Sequence, residues 1–276
     1  MMMKSGRNWR VIGKCIRGAS HIRNDMPCQD ALRIENAKKY HIIALSDGHG
    51  SSSCPYSDEG AKAAVDTAVS VFSSIFSKED PLQTISANKD IWLPKQIEQH
   101  WKNAVRDIHK LKERDEEPDF PYELYGATLL VLVVTDTFTC ALQLGDGDIL
   151  SIEPVSDSEI EDNDNNTQNL RISWVIPPDD NLGPETNSLC QDDCWKHMQT
   201  KIIALDSENK GAMFLLSTDG YANSFYNDDG FKKAGADFYN LLNEQGLTYI
   251  EDNLEGWLME SSAQGSGDDI TMALVL

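Results

Sequence analysis

The chain has 276 residues, enough for one substantial core, and its 24 basic against 45 acidic residues give a formal charge of −21, which excludes nucleic-acid and anionic-membrane binders. No apolar run is long enough to cross a bilayer, and Met1-Met2-Met3-Lys4-Ser5 opens without a signal-peptide core, so a cytoplasmic protein is expected. Six cysteines (15, 28, 54, 140, 190, 194) are too few to staple a chain of this length and suit a reducing compartment.

In chain order, the first chemical signal is Gln29-Asp30, followed by an apolar strand over 41–46 that ends directly at Asp47-Gly48-His49-Gly50. Ala61, Ala64, Val65, Ala68, Val69, Phe72, Ile75 and Phe76 form one helical stripe, and Ile97, Trp101, Ala104, Val105, Ile108 and Leu111 a second. Residues 112–123 are acidic and carry Pro118 and Pro121, which predicts a break in the second helix and a surface connection. An apolar, β-branched run over 127–134, the turn Thr135-Asp136-Thr137 and the alternation over 138–144 read as an antiparallel hairpin. Gly145-Asp146-Gly147 then turns the chain into a strand over 148–153.

Residues 153–169 are rich in Asp, Glu, Asn and Ser, which predicts a solvated loop. Its Asp162-Asn163-Asp164 run fails as an EF-hand, because Thr167 stands at the loop glycine and Ser173 at the bidentate glutamate. Cys190, Cys194 and His197 lack the spacing and the second pair of a zinc site. A strand over 213–217 ends at Thr218-Asp219-Gly220, two further helical stripes follow, and Gly267-Asp268-Asp269 precedes a last strand over 270–276. No linker divides the chain, so 1–276 reads as a single domain.

In antiparallel sheets the end of one strand lies beside the start of its neighbour, so these aspartates can gather on one edge. Several carboxylates gathered there suit a polynuclear site for hard cations, and bound dications would reverse the field of so acidic a protein toward a phosphate. In order and setting the motifs resemble those of the protein phosphatase 2C family of metal-dependent Ser/Thr protein phosphatases. Asp30, Asp47-Gly48-His49-Gly50, Gly126-Ala127-Thr128, Asp146, Asp219 and Asp268 carry the resemblance.

The resemblance implies an α+β fold of two stacked antiparallel β-sheets flanked by helices, with a variable flap within 153–199. It also implies two Mn2+ or Mg2+ ions, with Asp146 serving an outer third. Asp47 would bridge the pair, Asp219 and Asp268 would complete one site, the Gly48 carbonyl would serve the other, and Asp30 would act through a bound water. A water between the ions would attack phosphorus while His49 protonates the leaving oxygen. A phosphorylated protein would be the substrate, with a Ser/Thr kinase or its targets as partners.

Four departures stand out. Gln29 occupies the place of a glutamate beside the second ion, Gly147-Asp148 replaces Ser-Arg, Asp269 replaces Asn, and Asp25 stands where a phosphate-binding arginine belongs. Arg23 is the nearest substitute for that arginine and Arg17 a weaker one. Two other functions stay open at this point, a pseudophosphatase that binds without turnover and a phosphatase of a small phosphorylated metabolite.

Overall fold

The computed structural model describes residues 8–114, 119–155, 170–178, 186–205 and 212–276. The acidic stretch 156–169, with its EF-hand-like run, lies outside them. Two five-stranded sheets, antiparallel throughout, face one another. One has the order β1 (Val11–Ile16), β10 (Ile270–Val275), β9 (Met213–Ser217), β6 (Asp148–Pro154), β7 (Leu170–Trp174). The other has the order β2 (Ala31–Asn36), β3 (Tyr40–Ser46), β4 (Leu129–Thr135), β5 (Phe138–Leu144), β8 (Gln199–Ala204).

The apolar runs are continuous because these strands are covered on both faces. Along β3, Ile42 and Ala44 face α2 (Ser57–Phe76), while Ile43 and Leu45 face the opposing sheet with Leu130, Leu132, Phe214 and Leu216. Helices α2 and α4 (Trp92–Leu111), with the short α3 (Pro81–Asn88) beside them, cover one sheet. Helices α6 (Asp228–Gln245) and α7 (Leu247–Gln264) cover the other through Phe231, Phe238, Ile250, Leu254 and Leu258. The expected α+β sandwich is the observed architecture, with helices outside two inner sheets.

Local rules account for the helix ends. The Asn227 side chain accepts from the Gly230 amide at 3.0 Å and caps α6, and Gly246 at φ 82° turns the chain from α6 into α7. The structure adds elements that periodicity did not predict, namely β1, β2, β7, β8, α3 and the five-residue α1 (Ala19–Arg23). Strands β2, β7 and β8 are sheet-edge strands with partly exposed side chains, so their apolar content is diluted.

Over 112–114 and 119–123, the described part of the connection after α4, no residue is buried, as expected of a surface connection, and the chain turns inward just beyond it. Tyr125 packs inward there and is fully buried, and Arg114 pairs with Glu59 at 2.8 Å. Gly60 makes this docking possible, since a Cβ there would lie 1.9 Å from the Tyr125 carbonyl oxygen, and Trp101 Nε1 donates to the Gly60 carbonyl at 2.9 Å. Alanine is worth about 1 kcal/mol more than glycine inside a helix. Gly60→Ala is nevertheless expected to destabilise by about 1–3 kcal/mol, because backbone must move to admit the methyl. Urea denaturation reads the sign directly, and a gain in stability would show that the contact is not close.

Candidate functional site

The first carboxylate is placed by strand pairing that runs one step past β3. Gly48 bridges to Ala127, the Thr128 amide donates to the Asp47 carbonyl at 2.8 Å, and the Asp47 amide donates to Thr128 Oγ1 at 3.0 Å. The His49 amide donates to the Gly126 carbonyl at 3.0 Å. Asp47 and His49 therefore leave the same short ladder. Gly48 has no room for a side chain, as a Cβ would lie 2.7 Å from the carbonyl oxygens of both Gln29 and Ser57.

From the other sheet, β9 ends at Ser217, and after Thr218 the residue Asp219 opens the short helix α5 (Asp219–Ala222). Asn223 Nδ2 donates to Asp219 Oδ2 at 2.9 Å, while Asp219 Oδ1 is buried with no hydrogen-bond partner. Thr218 Oγ1 donates to Asp30 Oδ2 at 2.8 Å across the two sheets, and Asp30 Oδ1 is likewise buried without a partner. Asp268 is exposed just ahead of β10, whereas Asp269 beside it is buried.

Asp269 ties the first motif to the last. Its Oδ1 accepts from the Gly18 amide and its Oδ2 from the Gln29 amide, both at 2.6 Å. His21 Nδ1 lies 2.9 Å from the same Oδ2.

These elements surround a polar cavity of about 370 Å3 lined by Asp47, Gly48, His49, Asp146, Asp219, Asp268 and Gln29, together with His21, Thr128 and Thr186. Asp30 is buried behind the wall and does not line it. Arg23 is exposed at the end of α1 and does not line it either. Arg17 donates to the His21 carbonyl at 3.1 Å and lies 3.6 Å from Asp25. Asp146 accepts from Thr186 Oγ1 at 2.5 Å, so a residue of the predicted flap reaches the cavity. Asp148 belongs to a different contact, accepting from Trp174 Nε1 at 2.6 Å, and burial pushes its pKa up to about 6.

The cavity is electrostatically self-opposed. Burial raises the Asp47 pKa well above the carboxylate range, and the charges of Asp30, Asp219 and Asp268 raise it further. Asp219 is raised by burial first, with Asp146 and Asp268 adding to it and the adjoining Asp47 carboxyl opposing it. Burial lowers the His49 pKa, opposed by the Asp146 charge. Clustered carboxylates that cannot all ionise comfortably, with buried oxygens left unpartnered, are the donor set a hard divalent cation satisfies. The residues present fit such ions.

Thr128 lies in a motif that carries the resemblance, but His21, Thr218 and Asp269 had no distinct sequence signal as members of this site. Each sits within a few residues of a motif, but the roles depend on contacts between segments up to 251 positions apart, such as Gly18 with Asp269.

A family model described as protein phosphatase 2C matches residues 17–259. Serine/threonine-protein phosphatase 3 of Escherichia coli (strain K12) is 26% identical over 148 residues, 52% of this chain and 53% of that protein, so the match spans about half the length of that relative. The S. agalactiae serine/threonine phosphatase structure superposes with a TM-score of 0.59 at 17% identity, covering 97% of this chain and 98% of that one. The catalytic domain of the serine threonine protein phosphatase PstP, crystallised with 2 manganese ions, gives 0.56 at 14% identity, with 97% of each chain covered. At such identities these structures speak for the fold, and the family model speaks for descent over most of the length. The chain belongs to the protein phosphatase 2C family.

Proposed function

We propose that this chain is a protein Ser/Thr phosphatase, a single cytoplasmic catalytic domain that hydrolyses phosphoserine and phosphothreonine with the help of two Mn2+ or Mg2+ ions. The observation that carries the reading is the convergence of Asp47, Asp219 and Asp268 on one polar cavity beside His49. The activity named for the Escherichia coli relative and the manganese ions named for the PstP structure support it.

When bound, the ions supply charge to neutralise phosphoryl oxygens and lower the pKa of a water. Asp47 would be shared between them, Asp219 and Asp268 would complete one, the Gly48 carbonyl would serve the other, and Asp146 an outer third. Asp30, one layer deeper, would orient an ordered water, an arrangement supported by its unpartnered Oδ1. Arg23 would need to swing in from the rim to meet phosphate.

His49 would give a proton to the serine or threonine oxygen as it leaves. Burial keeps this imidazole neutral at neutral pH in the substrate-free protein, and an arriving phosphate dianion favours its protonated form. The protein substrates would be products of a Ser/Thr kinase.

The test is a comparison of p-nitrophenyl phosphate, phosphoserine peptides and free phosphometabolites, each with Mn2+ and with chelator. Peptide hydrolysis that vanishes in chelator and returns with Mn2+ is expected. No turnover under any condition would make the chain a binding module, and a preference for free metabolites would make it a small-molecule phosphatase.

A further inference from the structure

Three observations meet at one end of the cavity. The His21 side chain is 12% exposed, and its Nε2 stands 3.5 Å from Asp268 Oδ1. Its Nδ1 faces two oxygen acceptors, Asp269 Oδ2 at 2.9 Å and the Pro27 carbonyl at 3.1 Å. Both partners require Nδ1 to carry the hydrogen, which leaves the Nε2 lone pair of the neutral ring on the Asp268 side. A buried carboxylate behind one imidazole nitrogen is how proteins orient the other toward a metal.

The second observation is Gln29. It is 6% exposed, it lines the same cavity, and its Oε1 is buried with no hydrogen-bond partner. An amide oxygen left in that state is unfavourable unless something meets it. The third is Gly50, where a Cβ would lie 2.8 Å from Gln29 Oε1 and 4.0 Å from His21 Nε2. Both atoms thus border one point that the glycine leaves open.

We propose that His21 Nε2, Asp268 and Gln29 Oε1 are ligands of one divalent cation, making this end of the cavity a mixed nitrogen and oxygen site that favours Mn2+ over Mg2+. His21 Nε2 and Asp268 Oδ1 stand 3.5 Å apart, close to the separation of about 3 Å between adjacent ligands of a six-coordinate ion with bonds of about 2.1 Å. Imidazole suits the transition metals, whereas Mg2+ prefers oxygen and keeps its waters. The nitrogen ligand adds a donor atom, not a charge, where Gln29 contributes only an amide oxygen. The inference rests on the divalent-cation reading of the cavity and does not require phosphate hydrolysis.

The test uses the full chain with Mn2+ alone. Pulsed electron paramagnetic resonance of bound Mn2+ is expected to show 14N modulation from a directly coordinated imidazole. That modulation should persist in His49→Ala, the other histidine of the cavity, and vanish in His21→Ala. In His21→Ala, Mn2+ affinity by calorimetry should fall by about tenfold or more, with Mg2+ affinity changing less. Absence of modulation in the unmodified chain, its persistence in His21→Ala, or no Mn2+ binding would overturn the proposal. Should His21→Ala fail to fold, loss of the signal in His49→Ala would overturn it and its retention there would support it. Phosphoester hydrolysis measured in parallel separates the two readings, since nitrogen coordination without hydrolysis removes only the proposed function.

Discussion

Asp47→Asn is expected to reduce phosphopeptide hydrolysis on the order of a thousandfold, the scale of losing a preorganised electrostatic contact at a reacting phosphoryl group. The same change should leave the metal-free protein as stable as before or more so. Asp47 has its pKa raised by burial and by the charges of Asp30, Asp219 and Asp268, so it favours folding only while protonated. For a group raised in the folded state, that contribution is complete below the unfolded carboxylate pKa and is lost as pH rises through the folded value. At neutral pH the aspartate therefore opposes folding in chelator, and the amide removes the opposition. Thermal unfolding in chelator should show the unmodified protein gaining stability as pH falls from neutral toward 5, with a smaller gain in Asp47→Asn. Adding Mn2+ at neutral pH should stabilise the unmodified protein and have less effect on the variant. Normal turnover in Asp47→Asn would remove this residue from the reaction.

His49→Ala should separate substrates by their leaving groups. A serine alkoxide needs a proton as it departs, whereas p-nitrophenolate is stable without one. Loss of a general acid costs about 10²–10⁴-fold where protonation matters, so phosphoserine peptide turnover should fall by that amount and p-nitrophenyl phosphate turnover far less. The His49 backbone is held by Gly126 and its ring shares the cavity with Asp146, so truncation leaves the ladder that positions Asp47 intact. Equal losses on both substrates would mean that His49 binds phosphate or shapes the cavity.

The amino-acid sequence determined by itself what local periodicity and turn chemistry encode. The strand ending at Asp47, the hairpin of β4 and β5, the strand ending at Ser217, the last strand and the four long helices were legible because each shows an unbroken apolar run or a repeated apolar face. The aspartates were legible as a set because each stands at a strand end, where a carboxylate has little reason to recur without a shared task. Edge strands such as β7 and β8, and the five residues of α1, carried no such signal.

Tertiary structure decided which side chains meet. Asp30 is a neighbour of Gln29 in sequence, yet Gln29 lines the cavity while Asp30 lies behind it, because successive side chains of an extended segment point opposite ways. Asp268 and Asp269 divide in the same way, one opening onto the cavity and the other buried as the acceptor for Gly18, Gln29 and His21. His21 is held in the site by Asp269, from the far end of the chain, together with the nearby Pro27 carbonyl. Such contacts depend on the register of β1 against β10 and the stacking of the two sheets, which no local pattern specifies.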